Sequence, residues 1–338
     1  MAYITLNKSN FFHNLDIIAK QTKTKDKIAL VLKDNAYGHG LVEIAQLAKK
    51  YGITKAVVQL ESEALRVKDF FEYILILADT PKNPNKKFVY TINELQTIRL
   101  FPSKTRVELK VNTGMNRNGI EMSELKAAFS LMQKQALNCE AVFTHHACAD
   151  ELGDFYKIQK QNFLKLQDNA RELASEFGFS HLRYHSCNSA ALFREDDFCE
   201  DMARVGIAGY GCLSLPFESN ASKLKPVLSL YAKRISSRKI GNGAYVGYGA
   251  SFKSSSECVV SNYDFGYGAG FLRSCSLKYT TPEAKELVGR ISMDNASFVA
   301  DDDELLIFND ATTVAKFAQT ISYEVLTSLK PQLQRKFI

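Results

Sequence analysis

Eight short apolar runs alternate with longer segments of helical period between residues 27 and 207, and this alternation restricts the possible folds most strongly. The runs cover residues 28–33, 55–60, 73–78, 87–91, 106–111, 139–144, 181–185 and 203–207. Such alternation predicts parallel strands that are each followed by a helix. One of these helices, LVEIAQLAKKY, has a predicted stop at Gly52. Eight strand-helix units in roughly 200 residues predict a (β/α)8 barrel at the compact end of its size range.

A second pattern begins after Leu215 and Pro216. Short alternating runs, separated by Gly, Ser and Asn clusters, continue to the C-terminus and predict a mainly β domain. The N-terminal segment AYITLN also alternates, so it is a candidate strand of that domain. With 338 residues and 46% hydrophobic content, the chain suits two domains. We predict an α/β chain with a barrel over residues 7–218 and a β domain over 219–338 that includes a strand from 1–6.

Composition argues against several classes of protein. The net charge is +6, but the lysines are scattered, which indicates a solvated surface rather than a nucleic-acid site. Seven cysteines form no C-x-x-C pair and no short metal-ligand cluster, so we predict no metal and free thiols in a reducing cytoplasm. The sequence contains no signal-like N-terminal segment and no apolar window long enough to span a membrane. We therefore expect a cytoplasmic protein that binds neither nucleic acid nor a membrane.

Ionisable residues recur where the predicted barrel strands end, which is where such barrels place their functional groups. They are Lys33, Lys110, His145, His185 and Arg204. A partly desolvated amine loses its proton readily and becomes the nucleophile that Schiff-base chemistry needs. A lysine at a barrel rim can equally extend its charged end into solvent. Position alone leaves both interpretations of Lys33 open.

The segment HSCNSA, after the seventh predicted strand, offers hydroxyl and backbone N–H groups to an anion. Ser186, Asn188 and Ser189 stand where a helix should begin, although an ordinary helix N-cap has the same composition. Gly206 and Gly209 follow the eighth strand and leave further N–H groups approachable. A lysine for a carbonyl group and a phosphate site at the same barrel mouth together indicate pyridoxal 5′-phosphate (PLP) as the cofactor.

Motifs over nearly the whole chain resemble, in the same order, those of the alanine racemases, a family of PLP enzymes with a barrel and a β domain. The motifs are VLKDNAYGHG, LKVNTGMNRNGI, FTHHACADE, HSCNSAA, ARVGIAGYG, VGYGASF, FGYGAGFLR and VGRISMDN. The resemblance implies that Lys33 carries the cofactor and that Tyr37 reaches its phosphate. It also implies a small amino acid, alanine, as the substrate.

Further barrel residues surround the cofactor by the same resemblance. Lys110 and Arg117 would lie on the side of its phenolic oxygen, and Arg117 would also contact the substrate. Arg204 would face the pyridine nitrogen and His185 would orient Arg204, although His185 is equally well explained as a structural histidine. The other implied cofactor contacts are His145, Asn188, Ser189, Gly206 and Ile207.

The resemblance assigns the second half of the site to the β domain. Racemisation removes a Cα proton from one face and returns a proton to the other, which requires two bases. Lys33 would serve the D-alanine face and Tyr248, paired with His145, the L-alanine face. Tyr267 would gate substrate entry and Met293 would touch the substrate carboxylate. In this family the β domain covers the partner's barrel, which implies a homodimer with Tyr248 and Met293 acting in trans, and the D-alanine product would supply peptidoglycan.

The chain departs from the family pattern at several positions. Asn112 stands where Asp is usual, and GYGAG lacks the Asp that often follows the gate tyrosine. By spacing, Pro331 occupies the place of a phosphate-binding tyrosine found in some members. Lys110 is carbamylated in some relatives, which leaves its modification here an open question.

Three alternative functions compete with an alanine racemase. A broader amino-acid or serine racemase would use the same scaffold. A non-catalytic PLP-homeostasis protein would share the barrel and its lysine, but that group lacks a second domain, whereas residues 219–338 follow the barrel here. A fold-related decarboxylase would place an acidic residue against the pyridine nitrogen where this chain has Arg204.

Overall fold

The computed structural model of the chain describes residues 1–83 and 85–338. Its strands are β1 (Tyr3–Leu6), β2 (Ile28–Val31), β3 (Lys55–Val58), β4 (Tyr73–Ile76), β5 (Phe88–Ile92), β6 (Arg106–Lys110), β7 (Asn138–Phe143), β8 (Arg183–His185), β9 (Ala203–Val205), β10 (Leu228–Ile240), β11 (Tyr245–Val246), β12 (Phe252–Lys253), β13 (Cys258–Tyr263), β14 (Leu287–Val288), β15 (Ala296–Val299), β16 (Glu304–Phe308) and β17 (Gln334–Phe337). Its helices are α1 (Lys8–Gln21), α2 (Lys33–Tyr37), α3 (Leu41–Tyr51), α4 (Glu61–Val67), α5 (Leu125–Lys134), α6 (Phe155–Glu176), α7 (Ser189–Arg194), α8 (Ala311–Ala318) and α9 (Ser322–Ser328). Short 3-10 helices lie at Lys25–Lys27, Leu95–Leu100, Met122–Glu124, Asn220–Lys223, Tyr248–Ala250, Tyr267–Ala269 and Arg273–Cys275.

Strands β2 to β9 form one parallel sheet in the order β8-β7-β6-β5-β4-β3-β2-β9. The two ends of this order meet where the N–H of Arg204 donates to the carbonyl of Cys187 at 2.9 Å, so the sheet curls into a nearly closed barrel. Each of the eight predicted runs overlaps one of these strands to within one to two residues at most ends, and the predicted barrel is confirmed. Strands β2, β4 and β5 are buried along their whole length, as expected of parallel strands enclosed by helices.

The regular alternation of strand and helix fails between β4 and β5. There the prediction of a helix is wrong, because the described residues between the two strands form a loop. Pro81 and Asn83 disfavour a helix in this segment. The buried carboxylate of Glu61 holds the loop instead, accepting hydrogen bonds from the backbone of Lys82 and Asn83 at 2.9 and 2.8 Å.

Helix α3 follows its sequence prediction closely. Its apolar positions Leu41, Ile44, Ala45 and Ala48 are all buried against the barrel core. Gly52 ends the helix with φ of 96°, and its N–H donates to the carbonyls of Ala48 and Lys49. A left-handed residue of this kind is the usual end of a helix, and glycine adopts it without steric cost.

A second, mostly antiparallel sheet forms the core of the C-terminal part, in the order β14-β15-β13-β10-β1-β17, with β16 also paired to β10. Strand β1 pairs antiparallel with β10 and parallel with β17, so both ends of the chain lie in this sheet. The mainly β character predicted for this part is confirmed. We propose that the domain boundary falls at residues 218 and 219, within the irregular segment between β9 and β10.

Helices α8 and α9 pack on one another and bring the C-terminal part onto the barrel. The ring of Tyr323 in α9 lies 5.7 Å from that of Tyr37 in α2. The carbonyl of Leu326 in α9 lies so close to Gly38 that a Cβ there would approach it to 2.0 Å. In the part of the chain that the structure describes, no helix has the length and apolar character needed to cross a membrane.

Candidate active site

A cavity of about 590 Å³ opens at the carboxyl ends of the barrel strands. Its walls come from the carboxyl ends of β2, β3, β6, β7 and β9, from the segments that follow β2, β3, β4, β6, β7, β8 and β9, and from α9. Ten of the residues singled out in the sequence line it: Lys33, Tyr37, Lys110, Arg117, His145, Asn188, Ser189, Arg204, Gly206 and Ile207. The carboxyl ends of parallel strands meet at one end of a barrel, which is why residues spread over 175 positions of the chain share one cavity.

Lys33 enters the cavity from α2, which is a left-handed turn rather than an ordinary helix. The φ angles are 54° at Asp34, 56° at Asn35, 53° at Ala36 and 50° at Tyr37. Residues other than glycine pay about 1–3 kcal/mol each for such a backbone, so surrounding contacts must hold it. The carboxylate of Glu63 accepts from the N–H of Asp34 at 2.8 Å, and the Asn35 side chain accepts from the N–H of Leu41 at 2.9 Å. The Nζ of Lys33 lies 3.1 Å from the carboxylate of Asp34.

Ser189 and Gly206 meet at one side of the cavity. The Ser189 hydroxyl oxygen accepts from the backbone N–H of Gly206 at 3.0 Å and of Ala208 at 3.3 Å, which leaves its own proton free to donate. Tyr37 packs directly on Gly206, where a Cβ would lie 2.8 Å from the Tyr37 hydroxyl oxygen. Burial raises the pKa of Tyr37, so its hydroxyl keeps its proton and can donate. This side of the cavity therefore suits an anion.

In the segment HSCNSA, one residue is a helix N-cap and another offers a hydroxyl group to an anion, so each interpretation of the segment applies to a different residue. Asn188 is the N-cap of α7, with its side-chain oxygen accepting from the N–H of Ala191 at 2.9 Å. Ser186 turns away from the cavity and donates to the carboxylate of Glu200. Only the last polar residue, Ser189, directs a hydroxyl group toward the Gly206 loop.

Arg204 is nearly fully buried, and hydrogen bonds to neighbouring barrel residues hold its guanidinium. Nη2 donates to the carbonyl of Thr144 at 2.6 Å and to that of Ser186 at 3.0 Å. Nη1 donates to Nδ1 of His185, which is buried and does not line the cavity. Within the described chain Nε forms no hydrogen bond, so its N–H is the guanidinium donor left for a ligand.

Lys110 and Arg117 add two cationic groups to the cavity, next to His145. Burial, followed by the charges of Arg204 and Arg117, lowers the pKa of Lys110 to about 8. Burial and the same cationic groups lower the pKa of His145 well below its usual value, so its ring is neutral. Nδ1 of His145 lies 3.5 Å from Nη2 of Arg204, which can only donate, so the proton of the neutral ring sits on Nε2.

Asn112 organises the loop that carries Arg117. Its side-chain oxygen accepts from the N–H groups of Gly114 and Asn116, both at 3.0 Å. Its amide nitrogen donates to the carboxylate of Glu121 at 2.9 Å. An aspartate at position 112 has no proton to donate to Glu121 and would repel it, so asparagine suits this loop.

Tyr248, Tyr267 and Met293 lie outside this cavity, on exposed loops of the C-terminal part. Their side chains are 68%, 42% and 57% exposed, respectively. The Tyr267 and Met293 loops are joined, because the N–H of Gly268 donates to the carbonyl of Met293 at 2.7 Å. Tyr248 lies near them, because Gly247 and Gly249 on either side of it pack against Gly289 and Arg290. Neither Tyr248 nor Met293 lines the cavity that holds Lys33.

Sequence reasoning missed the contribution of α9. Tyr323, Glu324 and Thr327 line the cavity, and no periodicity or spacing indicates that this late helix returns across the barrel mouth. Pro331 lies instead on a neighbouring groove that also includes Asp34 and Tyr267. The tyrosine ring nearest to Tyr37 from this region is thus that of Tyr323.

Comparisons with known proteins gave matches over nearly the whole chain. Residues 6–214 match the family model for the alanine racemase N-terminal domain, and residues 227–337 match that for the alanine racemase C-terminal domain. The alanine racemases of a Nitratiruptor species and of Campylobacter concisus are each 41% identical to the chain, over alignments that cover 100% of both proteins. The crystal structure of alanine racemase from Bacillus anthracis with bound L-Ala-P has a TM-score of 0.85 and 27% identity, covering 100% of this chain and 95% of that one.

Proposed function

The chain belongs to the alanine racemase family and is an isomerase that interconverts L- and D-alanine, and we propose that it does so with PLP bound to Lys33. The observation that carries the proposal is a cavity that collects an amine, a set of neutral anion donors and a guanidinium. The match of residues 227–337 to the C-terminal domain argues against a PLP-homeostasis protein, which lacks that domain.

The residues of the cavity fit each polar part of PLP. Its volume of about 590 Å³ is in the range typical of cofactor sites. Lys33 supplies the amine for the carbonyl group, and the free N–H on Nε of Arg204 suits the pyridine nitrogen. The hydroxyl groups of Tyr37 and Ser189 and the backbone of Ile207 would hold the phosphate. Gly206, whose own N–H donates to Ser189, would line the phosphate site without a side chain. The close packing of Tyr37 on Gly206 leaves that cradle open only because residue 206 has no side chain.

When bound, PLP supplies a conjugated ring that draws electrons from the Cα of the amino acid attached to it. Arg204 keeps its proton under all ordinary conditions, so it would donate to the ring nitrogen of bound PLP and would leave that nitrogen unprotonated. A neutral ring nitrogen withdraws electrons less strongly than a protonated one. Arg204 therefore favours rapid return of a proton to Cα, hence racemisation over transamination, and argues against the decarboxylase alternative.

Lys33 and Tyr248 would act as the two bases. The Lys33 amine would exchange the Cα proton on the D-alanine face and the Tyr248 phenol would do so on the L-alanine face. His145, with its proton on Nε2, would donate to the Tyr248 oxygen and stabilise the charged form of the phenol. Arg117 and Met293 would contact the substrate carboxylate region, and Tyr267 would gate its entry.

We infer that the active form is a homodimer in which each C-terminal part completes the partner's site. Tyr248 and Met293 are exposed in the single chain and do not line its cavity. Three aromatic or apolar side chains exposed on adjoining loops, Tyr248, Tyr267 and Met293, are typical of a surface that meets another protein. A second copy that presents this surface to the barrel mouth would supply the second base.

Two further proposals concern the setting of the reaction. The seven cysteines are free thiols, which suits a reducing cytoplasm. On family membership we also propose that the D-alanine product supplies peptidoglycan.

Lys33→Ala tests the cofactor assignment. We expect the purified wild-type chain to show the visible absorption of a lysine-bound cofactor, lost on borohydride reduction, and the reduced cofactor to be found on Lys33 by peptide mass spectrometry. Lys33→Ala should abolish the band and racemisation. Lys55→Ala is the matched control, because Lys55 begins β3 at the opposite end of the barrel and should leave both intact. Reduced cofactor on another lysine would contradict the proposal.

The alternative of a broader amino-acid or serine racemase is tested by comparing the rates of racemisation of L-alanine and L-serine.

A further inference from the structure

A buried carboxylate, Glu108, lies inside the barrel behind Arg204 and takes no direct part in the chemistry proposed above. The Tyr73 hydroxyl donates to it, as does Nη2 of Arg183 at 2.9 Å. Its other oxygen lies 2.9 Å from Nε2 of His185, and both side chains are fully buried. Nδ1 of His185 in turn meets Nη1 of Arg204. Side chains from β4, β6, β8 and β9 thus form one hydrogen-bonded series that ends at the cavity.

The two partners of His185 determine where its proton lies. The Arg204 guanidinium has only donors, so Nδ1 of His185 must accept. Burial acts to raise the pKa of Glu108, but its donors His185, Arg183 and Tyr73 hold that pKa at about 2, so Glu108 is ionised and accepts at Nε2. Burial also lowers the pKa of His185 and favours its neutral form. A neutral ring that accepts at Nδ1 and donates at Nε2 is the Nε2–H tautomer.

We propose that Glu108 is a positioning residue for racemisation: it fixes His185 as the neutral Nε2–H tautomer and, through that ring, fixes the guanidinium of Arg204. With Nη1 held by His185 and Nη2 held by backbone carbonyls, the Nε N–H of Arg204 is the donor left for a ligand in the cavity that this residue lines. The functional part of this inference rests on the proposed position of Arg204 against the pyridine nitrogen. The tautomer of His185 does not depend on that position.

Other carboxylates of the barrel do not share this contact. Glu140 pairs with Arg183 at 3.0 Å and with Arg106, but it forms no hydrogen bond to His185. Glu200 accepts from Ser186 and from the N–H of Cys187, and likewise does not touch the His185 ring. Among the described residues, Glu108 alone accepts from Nε2 of His185.

Glu108→Gln should disturb the tautomer while preserving side-chain volume. Tyr73 and Arg183 both donate to the same oxygen of Glu108, so the amide oxygen of glutamine would take that side. The amide NH2 group would then face the Nε2–H of His185. Because both groups are donors, no hydrogen bond could form between them. The ring can relieve this only by moving its proton to Nδ1, where it would confront the guanidinium of Arg204.

The test is 15N solid-state NMR of the full-length chain as purified, labelled at its six histidines, with His185 assigned through His185→Gln. In the wild type we expect His185 to have a protonated Nε2 and an unprotonated Nδ1 at neutral pH. In Glu108→Gln we expect loss of that single tautomer.

Kinetics give the second measurement for Glu108→Gln. Removal of such an outer hydrogen-bond partner typically lowers activity about 10- to 100-fold, so we expect kcat to fall about tenfold. KM for L-alanine should change by less than about twofold, because Glu108 does not touch the cavity.

Glu140→Gln is the matched control. It removes a carboxylate from the same network and weakens the pairing of Arg183, yet it leaves the His185 contact intact. We expect Glu140→Gln to keep the wild-type tautomer of His185. Its kcat should stay within about twofold of the wild-type value, because a partly exposed charge pair contributes little free energy.

Separate outcomes overturn separate parts of the inference. Wild-type His185 protonated on Nδ1, or on both nitrogens, would overturn the tautomer assignment even if no variant folds. A Glu108→Gln enzyme with unchanged tautomer and kcat would overturn the positioning role. Failure of the PLP proposal is recognised independently, by the absence of the visible cofactor band in the wild type.

Discussion

At the scale of single residues, the cavity is characterised by positive charge, part of it buried, as at Arg204. Lys110, Arg117 and Arg204 surround one volume, and His145 remains neutral beside them. The cost of bringing these cations together is visible in Lys110, whose pKa burial and its neighbours lower to about 8. An anionic ligand offsets that repulsion, which fits a phosphate-bearing cofactor and a carboxylate substrate.

Lys110→Met should change the pH dependence of stability in protein stripped of cofactor. The pKa of Lys110 is about 8 in the folded chain and 10.5 in its ordinary state, so the unfolded chain binds more protons between these pH values. The wild type should therefore lose stability as pH falls from about 10 to 8, by up to about 3 kcal/mol. The variant should lack this slope in urea unfolding. Parallel pH profiles for the two proteins would contradict the lowered pKa.

Tyr248→Phe tests the division of the two faces of Cα. Enantiomers have equal free energies, so loss of one base must slow racemisation equally in both directions. In deuterated water, however, Lys33 should still exchange the Cα proton of D-alanine without inversion. We expect racemisation to fall at least about 100-fold, the usual scale for loss of an acid-base group, while exchange into D-alanine continues. Exchange confined to L-alanine would show that the faces are assigned the wrong way round.

At the scale of elements, the left-handed turn α2 is the least expected feature of the barrel. Four consecutive residues other than glycine, Asp34 to Tyr37, have positive φ directly after the strand that leads to Lys33. The next residue, Gly38, has φ of 74° and lies against the backbone of α9. Packing of α9 is thus coupled to the backbone that presents Lys33.

Gly38→Ala should be markedly destabilising. The new Cβ would meet the carbonyl oxygen of Leu326 at 2.0 Å, and the positive φ adds backbone strain, so we expect a loss of about 3 kcal/mol. Gly178→Ala is the control, since Gly178 has a similar φ of 78° but no atom within 4 Å of the added carbon. It should cost only about 1–2 kcal/mol. Equal shifts of the urea midpoint in the two variants would indicate that the contact with α9 is unimportant.

At the scale of the whole molecule, the C-terminal part contributes residues to the proposed site in two different ways. Helix α9 closes the cavity of its own chain through Tyr323. Tyr248 and Met293 do not line that cavity and remain exposed. The first arrangement is intramolecular, and the second is the reason for proposing a homodimer.

Mixing of two inactive variants distinguishes action in trans from action in cis. Lys33→Ala and Tyr248→Phe each remove one base, so each homodimer should be inactive. If Tyr248 serves the partner's Lys33, a mixed dimer contains one complete site. Random reassociation then restores about one quarter of wild-type activity, because about half of the dimers are mixed and each has one of two sites intact. Activity that stays at the level of the separate variants would refute action in trans.

The sequence by itself determined the barrel and most of the residues around its mouth. Strand positions follow from local apolar runs, because burial on both faces is a property of each short segment. That residues at the strand ends share one cavity was predictable once the strands were assigned, since parallel strands bring their carboxyl ends together. Lys33, Ser189 and Arg204 line that cavity as expected, and their roles stay predictions.

Only the tertiary structure decided which polar groups meet. Glu108 and His185 are 77 residues apart in the sequence. Tyr37 and Tyr323 are further apart still. Local periodicity therefore predicts neither contact. The left-handed turn at Asp34 to Tyr37 likewise depends on hydrogen bonds to Glu63 and Leu41, which lie outside it. Hydrogen bonds and backbone strain depend on atoms that closure of the barrel brings together, whereas strand and helix periodicity depends on neighbours along the chain.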